Sequence, residues 1–252
     1  MMSEGGDRPR DIVVVADYHS HLQSTLEVAI ALAGRRRLAL RGLFVEDPDL
    51  AMVCSLPFTQ EITLAGARPR ALDQQRLRRD LEQVSRRFRR LLSEGAERAS
   101  LSHSFDSVYG RRGALELGGE VEADYLVLAQ PGSLRKARDQ TLRIALVQAD
   151  TAEAMPVLEC LRSLRAERRM ELLLVDGGAG LAADELLRGF VVEHAEVSCV
   201  NLPAAGPTDL YRALARGVDL VVASRHCAPW ILDALLRRST CPVILTAGRG
   251  PG

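Results

Sequence analysis

The sequence predicts an α/β protein whose sheet is mainly parallel, and three observations predict it. Apolar, β-branched runs such as DIVVVAD (11–17), DYLVLAQ (124–130) and VDLVVAS (218–224) are continuous rather than alternating, as strands buried on both faces are. Segments with apolar residues every three or four positions lie between them, the period of covering helices. The same succession of elements is then traversed twice, so the fold class is two tandem Rossmann-like parallel-sheet repeats, the first lacking its last helix and strand.

DIVVVAD opens the first pass as a buried strand. The helix after it opens with Ser20 and Gln23, a capping-box spacing, and carries Leu22, Leu26, Ile30 and Ala33 on one face. LALRGLFVED (38–47) is the second strand. Residues 48–70 read as an insertion rich in turn residues, and SLPFT within it offers Leu56 and Phe58 as either a cap on the sheet crevice or core. A long helix follows, its apolar stripe set by Leu77, Leu81, Val84, Phe88 and Leu91. A strand over 103–109, a short helix over 113–121 and DYLVLAQ complete the first half.

The second pass begins with TLRIALVQAD (141–150), where Asp150 and Glu153 have the spacing of a cap pair. ELLLVDGG, EVSCVNLP, a helix over 207–216 and VDLVVAS keep the order of the first pass, and a last helix and CPVILTA are added. The expected organisation is a disordered tail over 1–10, a first repeat over 11–130, a linker over 131–140 and a second repeat over 141–247.

Composition narrows the function classes. A chain of 252 residues buries about three quarters of its unfolded surface. Thirty-three basic residues balance thirty-three acidic ones, which supplies no drive toward nucleic acid. No apolar run reaches the length of a membrane span, and the polar start MMSEGGDRPR does not resemble a signal peptide, so a cytoplasmic protein without membrane attachment is expected. Cys54, Cys160, Cys199, Cys227 and Cys241 are odd in number and lack C-x-x-C spacing, which suits reduced thiols.

A strand ending in Asp, a helix, a strand ending in valine plus acid, a variable segment, ADYLVLA or VDLVVAS, and finally CPVIL resembles the universal stress protein family over nearly the whole chain, twice. The resemblance implies adenine nucleotide α-hydrolase-like repeats that pair as an intramolecular pseudo-dimer, the chain being a monomer or weak homodimer. VVVADYHS is similar to the family's first strand, with Asp17 at the adenine-contacting position. The family's nucleotide binders also carry a glycine-rich loop after the fourth strand, because backbone amides approach phosphate only where no side chain intervenes. The second repeat has Arg225, His226, Cys227, Pro229 and Trp230 there instead, and the first keeps only Gly132 and Ser133, with Arg135, Lys136 and Arg138 nearby.

Three functional readings follow. The first is a non-catalytic, stress-related binding or regulatory protein with a degenerate nucleotide loop, no cofactor, and an unknown protein partner or small ligand. The second keeps adenine nucleotide (ATP or AMP) in the first repeat, held by Asp17, Val45, Gly132 and Ser133, with Arg135 or Lys136 replacing lost amides. The third takes DYHSH (17–21) as the metal-binding start of a PHP/amidohydrolase-like phosphoesterase, with Asp17, His19, His21 and His226 as ligands activating water.

Other motifs are weaker. Gly178, Gly180 and Ala183 have dinucleotide-loop spacing, yet no ribose-binding acid stands near Asn201-Leu202-Pro203. Arginines 76, 78, 79, 86, 87, 89 and 90 are interspersed with acids, as on a solvated helix face. No G-x-S-x-G elbow occurs, and His226-Cys227 reads as a packed turn.

Overall fold

The computed structural model describes residues 11–56, 60–61, 70–71, 74–111, 121–131, 141–148, 154–164, 169–176, 197–203, 207–215 and 217–247. The N-terminal half contributes strands β1 (Asp11–Ala16), β2 (Ala39–Glu46), β5 (His103–Tyr109) and β6 (Tyr125–Leu128) to the main sheet, with helices α1 (Leu22–Arg36), α2 (Pro48–Ser55) and α3 (Gln74–Arg98). Two-residue strands β3 (Gln60–Glu61) and β4 (Arg70–Ala71) pair only with each other. The C-terminal half contributes β7 (Thr141–Gln148), α4 (Ala154–Leu164), β8 (Arg169–Asp176), β9 (Val197–Pro203), α5 (Pro207–Leu214), β10 (Leu220–Ser224), α6 (Pro229–Arg238) and β11 (Val243–Thr246).

Among the described residues nine strands form one sheet in the order β5-β2-β1-β6-β11-β10-β7-β8-β9. Every neighbouring pair is parallel except β6 and β11, which run antiparallel with Val243 opposite Leu128 and Thr246 opposite Tyr125. Outward from β11 the two sides read alike: each passes through its half's fourth, first, second and third strand. The start of each fourth strand is also hooked alike, Asp124 N donating to Asp11 O at 3.0 Å and Asp219 N to Arg143 O at 2.9 Å.

Burial explains why the continuous apolar runs sit where they do. The interior strands β1, β6, β10 and β11 are buried at every residue, whereas the edge strand β5 exposes most of its residues. One face of the sheet packs Ile12, Val14, Phe44, Val127 and Ile144 under Leu26 and Leu32 of α1, Phe88 and Leu92 of α3 and Leu158 and Leu161 of α4. The other packs Val13, Val15, Leu126, Val221 and Leu245 under Ile231 and Leu235 of α6 and Leu210 of α5. Helices α1 and α4, one from each half, share the first face, and Arg36 Nη2 meets Glu159 Oε2 there at 2.6 Å. Gly42 lets α3 sit close on β2, since a Cβ there would lie 2.9 Å from Leu92 Cδ2.

Two expectations are corrected. Ser20 is not the cap of α1, which is His21 with extended backbone and no side-chain bond; Ser20 Oγ is engaged with Asp17, and Gln23 with Glu27. The segment after β2 holds a helix that its turn-rich composition hid. Asp47 accepts from Asp49 N at 2.8 Å with Pro48 at the first helical position, two start signals the sequence does carry. Leu56 is 55% exposed and so is not core, while Phe58 lies outside the described residues. Outside them too are the tail, the short helix over 113–121, Asp150, Glu153 and the Gly178–Ala183 motif.

Candidate functional site

At the C-terminal end of β1 the chain turns back on itself. Asp17 Oδ1 accepts from His19 N at 2.9 Å and from Ser20 Oγ at 2.8 Å, and Asp17 N donates to Ser20 Oγ at 2.9 Å. An Asp at a strand end closes such a turn because its short carboxylate reaches the amide two residues on. The turn is tied to the end of β6, with His21 N on Gln130 O at 2.8 Å and Ser20 Oγ 3.2 Å from Ala129 O. The adenine-contacting position of the resemblance is thus half-buried, with one oxygen committed to its own loop.

Val45 is 1% exposed and lies in the core cluster with Val13, Val15 and Leu43, so it offers no surface to a ligand here. Gly132, Ser133, Arg135, Lys136 and Arg138 lie outside the described residues. Gln130, two residues before Gly132, is a polar group that no motif in the sequence singles out. It is 2% exposed and its Nε2 has no hydrogen-bond partner among the described residues, a desolvated donor beside the start of α1. A polar residue ending an apolar strand run was the available signal.

The corresponding end of β10 is filled by its own side chains. Ser224 Oγ accepts from His226 N at 3.0 Å, and Cys227 N meets Ser224 O at 3.3 Å. Cys227 is 3% exposed, as the packed-turn reading expects, and Pro229 is the first residue of α6, where it removes an amide. Trp230 packs partly buried against the second face of the core. Arg225 reaches across to the N-terminal half, Nη1 donating to Val121 O at 2.9 Å. Burial pushes its guanidinium pKa down, and its Nη2 is buried with no partner.

The four residues of the metal reading are not brought together. Ser224 pairs Thr246, Thr246 faces Tyr125, and Tyr125 pairs Ile12, so His226 leaves the sheet at the edge where β1 begins. Asp17, His19 and His21 stand at the opposite edge, about 20 Å away along the strands. The antiparallel junction is the cause. Among the described residues no group of three His, Cys, Asp or Glu side chains is placed to hold a metal ion.

The hollows among the described residues include two beside the covering helices. One of about 410 Å³ is lined by Tyr18, Asp80, Gln83, Val84 and Arg87. The other, about 350 Å³, lies between the ends of α5 and α6 and is lined by Tyr211, Leu214, Ala215, Arg238 and Thr240. No helix of the described residues is long and apolar enough to cross a membrane. The arginines on α3 are outward and mostly paired along the helix, Arg78 and Arg86 with Glu82 and Arg90 with Glu94.

No protein-family model matches the chain, and no curated protein matches it. Among solved structures it is similar to a universal stress protein from Archaeoglobus fulgidus DSM 4304, with 10% identity over 94% of this chain and 96% of that one and a TM-score of 0.45. It is similar to a candidate universal stress protein from Pseudomonas aeruginosa UCBPP-PA14, with 10% identity over 95% and 94% and a TM-score of 0.43. MurG from Acinetobacter baumannii follows at 12% identity, 86% and 73% coverage and a TM-score of 0.24. At these identities and scores no family and no ligand is assigned to the chain.

Proposed function

We propose that this chain is a non-catalytic binding or regulatory protein made of two universal-stress-like repeats, 11–130 and 141–247, that share one final strand. The observation that carries the reading is the strand order, which runs alike on both sides of β11 and reverses direction only at β6. A repeat lacking its own last strand would leave the inner edge of β6 open, and antiparallel pairing with β11 closes it. The matching hooks of Asp124 and Asp219 support the same reading.

A second reading, that the first repeat binds an adenine nucleotide, is favoured by an asymmetry between the crevices. Arg225, Pro229 and Trp230 occupy the second. The first keeps a desolvated donor, Gln130 Nε2, beside an α1 N-terminus that has no side-chain cap. Calorimetric titration with ATP, AMP and adenosine tests it. Binding that Asp17→Ala removes and Trp230→Gly leaves intact is expected. Binding removed only by changes at Arg225, His226 or Trp230 would place the ligand in the second crevice and refute it.

A further inference from the structure

We infer that the hollow between the Asp17 turn and α3 seats the nucleotide, with Arg87 as the cation that receives its phosphate; this rests on the nucleotide reading above. The hollow, of about 410 Å³, has Tyr18, the residue after Asp17, on one side and Asp80, Gln83, Val84 and Arg87 of α3 on the other. Its volume falls within the range of small-molecule sites, about 300–1,000 Å³. Packing places the two walls level with each other independently. A Cβ on Gly42 would lie 2.9 Å from Leu92 Cδ2 and 3.4 Å from Phe88 Cζ, and Gly42 pairs Val14 of β1. From Val14 the chain reaches Asp17 after about 10 Å of strand. Helix α3 runs the opposite way, back to the start of β2, where Leu40 N donates to Ser102 O at 2.9 Å, so Arg87 stands about 7.5 Å from Leu92 toward the end of the sheet where the turn lies.

The lining has the chemistry of an elongated ligand with an anion at one end. Asp80, Val84 and Arg87 recur at i, i+4 and i+7 and so share one face of α3, which sets the backbone positions of the acid and the base about 10 Å apart. A nucleotide offers an amine and hydroxyls to Asp80 and Gln83, a planar base to the Tyr18 ring and Val84, and a phosphate to Arg87. Asp80 also faces Arg76 at 3.9 Å, which offsets its repulsion of an anion. Arg87 differs from its neighbours on the helix. Arg78 and Arg86 pair with Glu82, Arg90 pairs with Glu94, and Arg89 lies 4.8 Å over the Phe105 ring. Arg87 is exposed and has neither an acid nor a ring as partner among the described residues. Helical side chains lean toward the N-terminus, which carries its guanidinium over Gln83 and Val84, with its planar fork of donors free for phosphate.

Isothermal titration of wild type, Arg87→Gln, Arg79→Gln and Tyr18→Leu with adenosine, AMP and ATP at fixed low salt tests the assignment. Arg79 is an exposed arginine of the same helix that does not line the hollow, so its variant makes the same charge change outside the site. The expected result is that Arg87→Gln weakens AMP and ATP about tenfold, the loss of one charge-assisted contact, leaves adenosine unchanged, and is not reproduced by Arg79→Gln. Tyr18→Leu should weaken all three ligands alike. Equal effects of the two arginine variants, or AMP and ATP binding unaltered by Arg87→Gln, would overturn the role of Arg87 while leaving the nucleotide reading, which Asp17→Ala tests, intact. AMP binding no tighter than adenosine would overturn that role as well, and binding indifferent to Tyr18→Leu would move the ligand out of the hollow. Wild type binding none of the three would overturn both the site and the nucleotide reading.

Discussion

Thr246 ends the strand that both halves share, and its hydroxyl is the cleanest handle on that strand. The residue is 0% exposed, faces Tyr125 on one side and Ser224 on the other, and its carbonyl accepts from Arg225 N at 3.1 Å. Its backbone is satisfied, but its Oγ1 has no partner. An unpaired buried hydroxyl costs about 1–3 kcal/mol of desolvation. Valine keeps the β-branched shape and strand preference and removes that cost. Thr246→Val is therefore expected to stabilise the protein by about 1 kcal/mol, which at this chain length raises Tm by about 2–4 °C. Urea unfolding should show a higher midpoint with unchanged slope, and one transition, since β11 pairs with both halves. Thr246→Ser, which keeps the hydroxyl and loses the methyl, should go the other way. Destabilisation by Thr246→Val of about 1 kcal/mol or more would refute the reasoning, because it would mean the hydroxyl donates a bond worth keeping.

Other perturbations have equally definite outcomes. Burial raises the pKa of Asp11 above its usual value against the attraction of Arg41, with Asp124 adding to the rise. A carboxyl so shifted binds its proton more tightly when folded, so stability falls as pH rises through the interval just above the ordinary carboxylate range. Asp11→Asn should flatten that decline in a series of melts from pH 3 to pH 7, and Arg41→Ala, which strands the carboxylate, should steepen it. Gly42→Ala forces Leu92 and the Phe105 ring from a Cβ at 2.9 and 3.0 Å and should cost about 1–3 kcal/mol in denaturant unfolding, while Gly34→Ala, in α1 with open space around it, should gain about 0.5–1. Burial raises the thiols of Cys160 and Cys241 to about 12 and about 11. A thiol-disulfide reagent on native protein should therefore label Cys54, which is partly exposed, well before either, and equal rates would contradict their burial.

Much of the fold was written locally. Continuous apolar runs marked β1, β6, β10 and β11 because a strand covered on both faces has no use for alternation, and the stripe through Leu77 and Phe88 marked α3 because burial on one side of a helix recurs every three or four residues. The absence of glycine after β10 was also legible, since chain geometry there depends on the residues themselves. What the sequence could not decide is the direction in which distant strands meet. Val243 and Leu128 are 115 positions apart, and neither residue differs chemically from one that pairs in parallel. That single antiparallel junction separates His226 from His19. The partner of a polar atom is likewise a tertiary fact: Ser20 and Gln23 have capping-box spacing, but the carbonyl of Ala129 and the carboxylate of Asp17 lie within reach of Ser20 in the folded chain and draw its hydroxyl away from the helix. Local preference sets which elements form; packing and pairing between remote segments set which side chains share an edge.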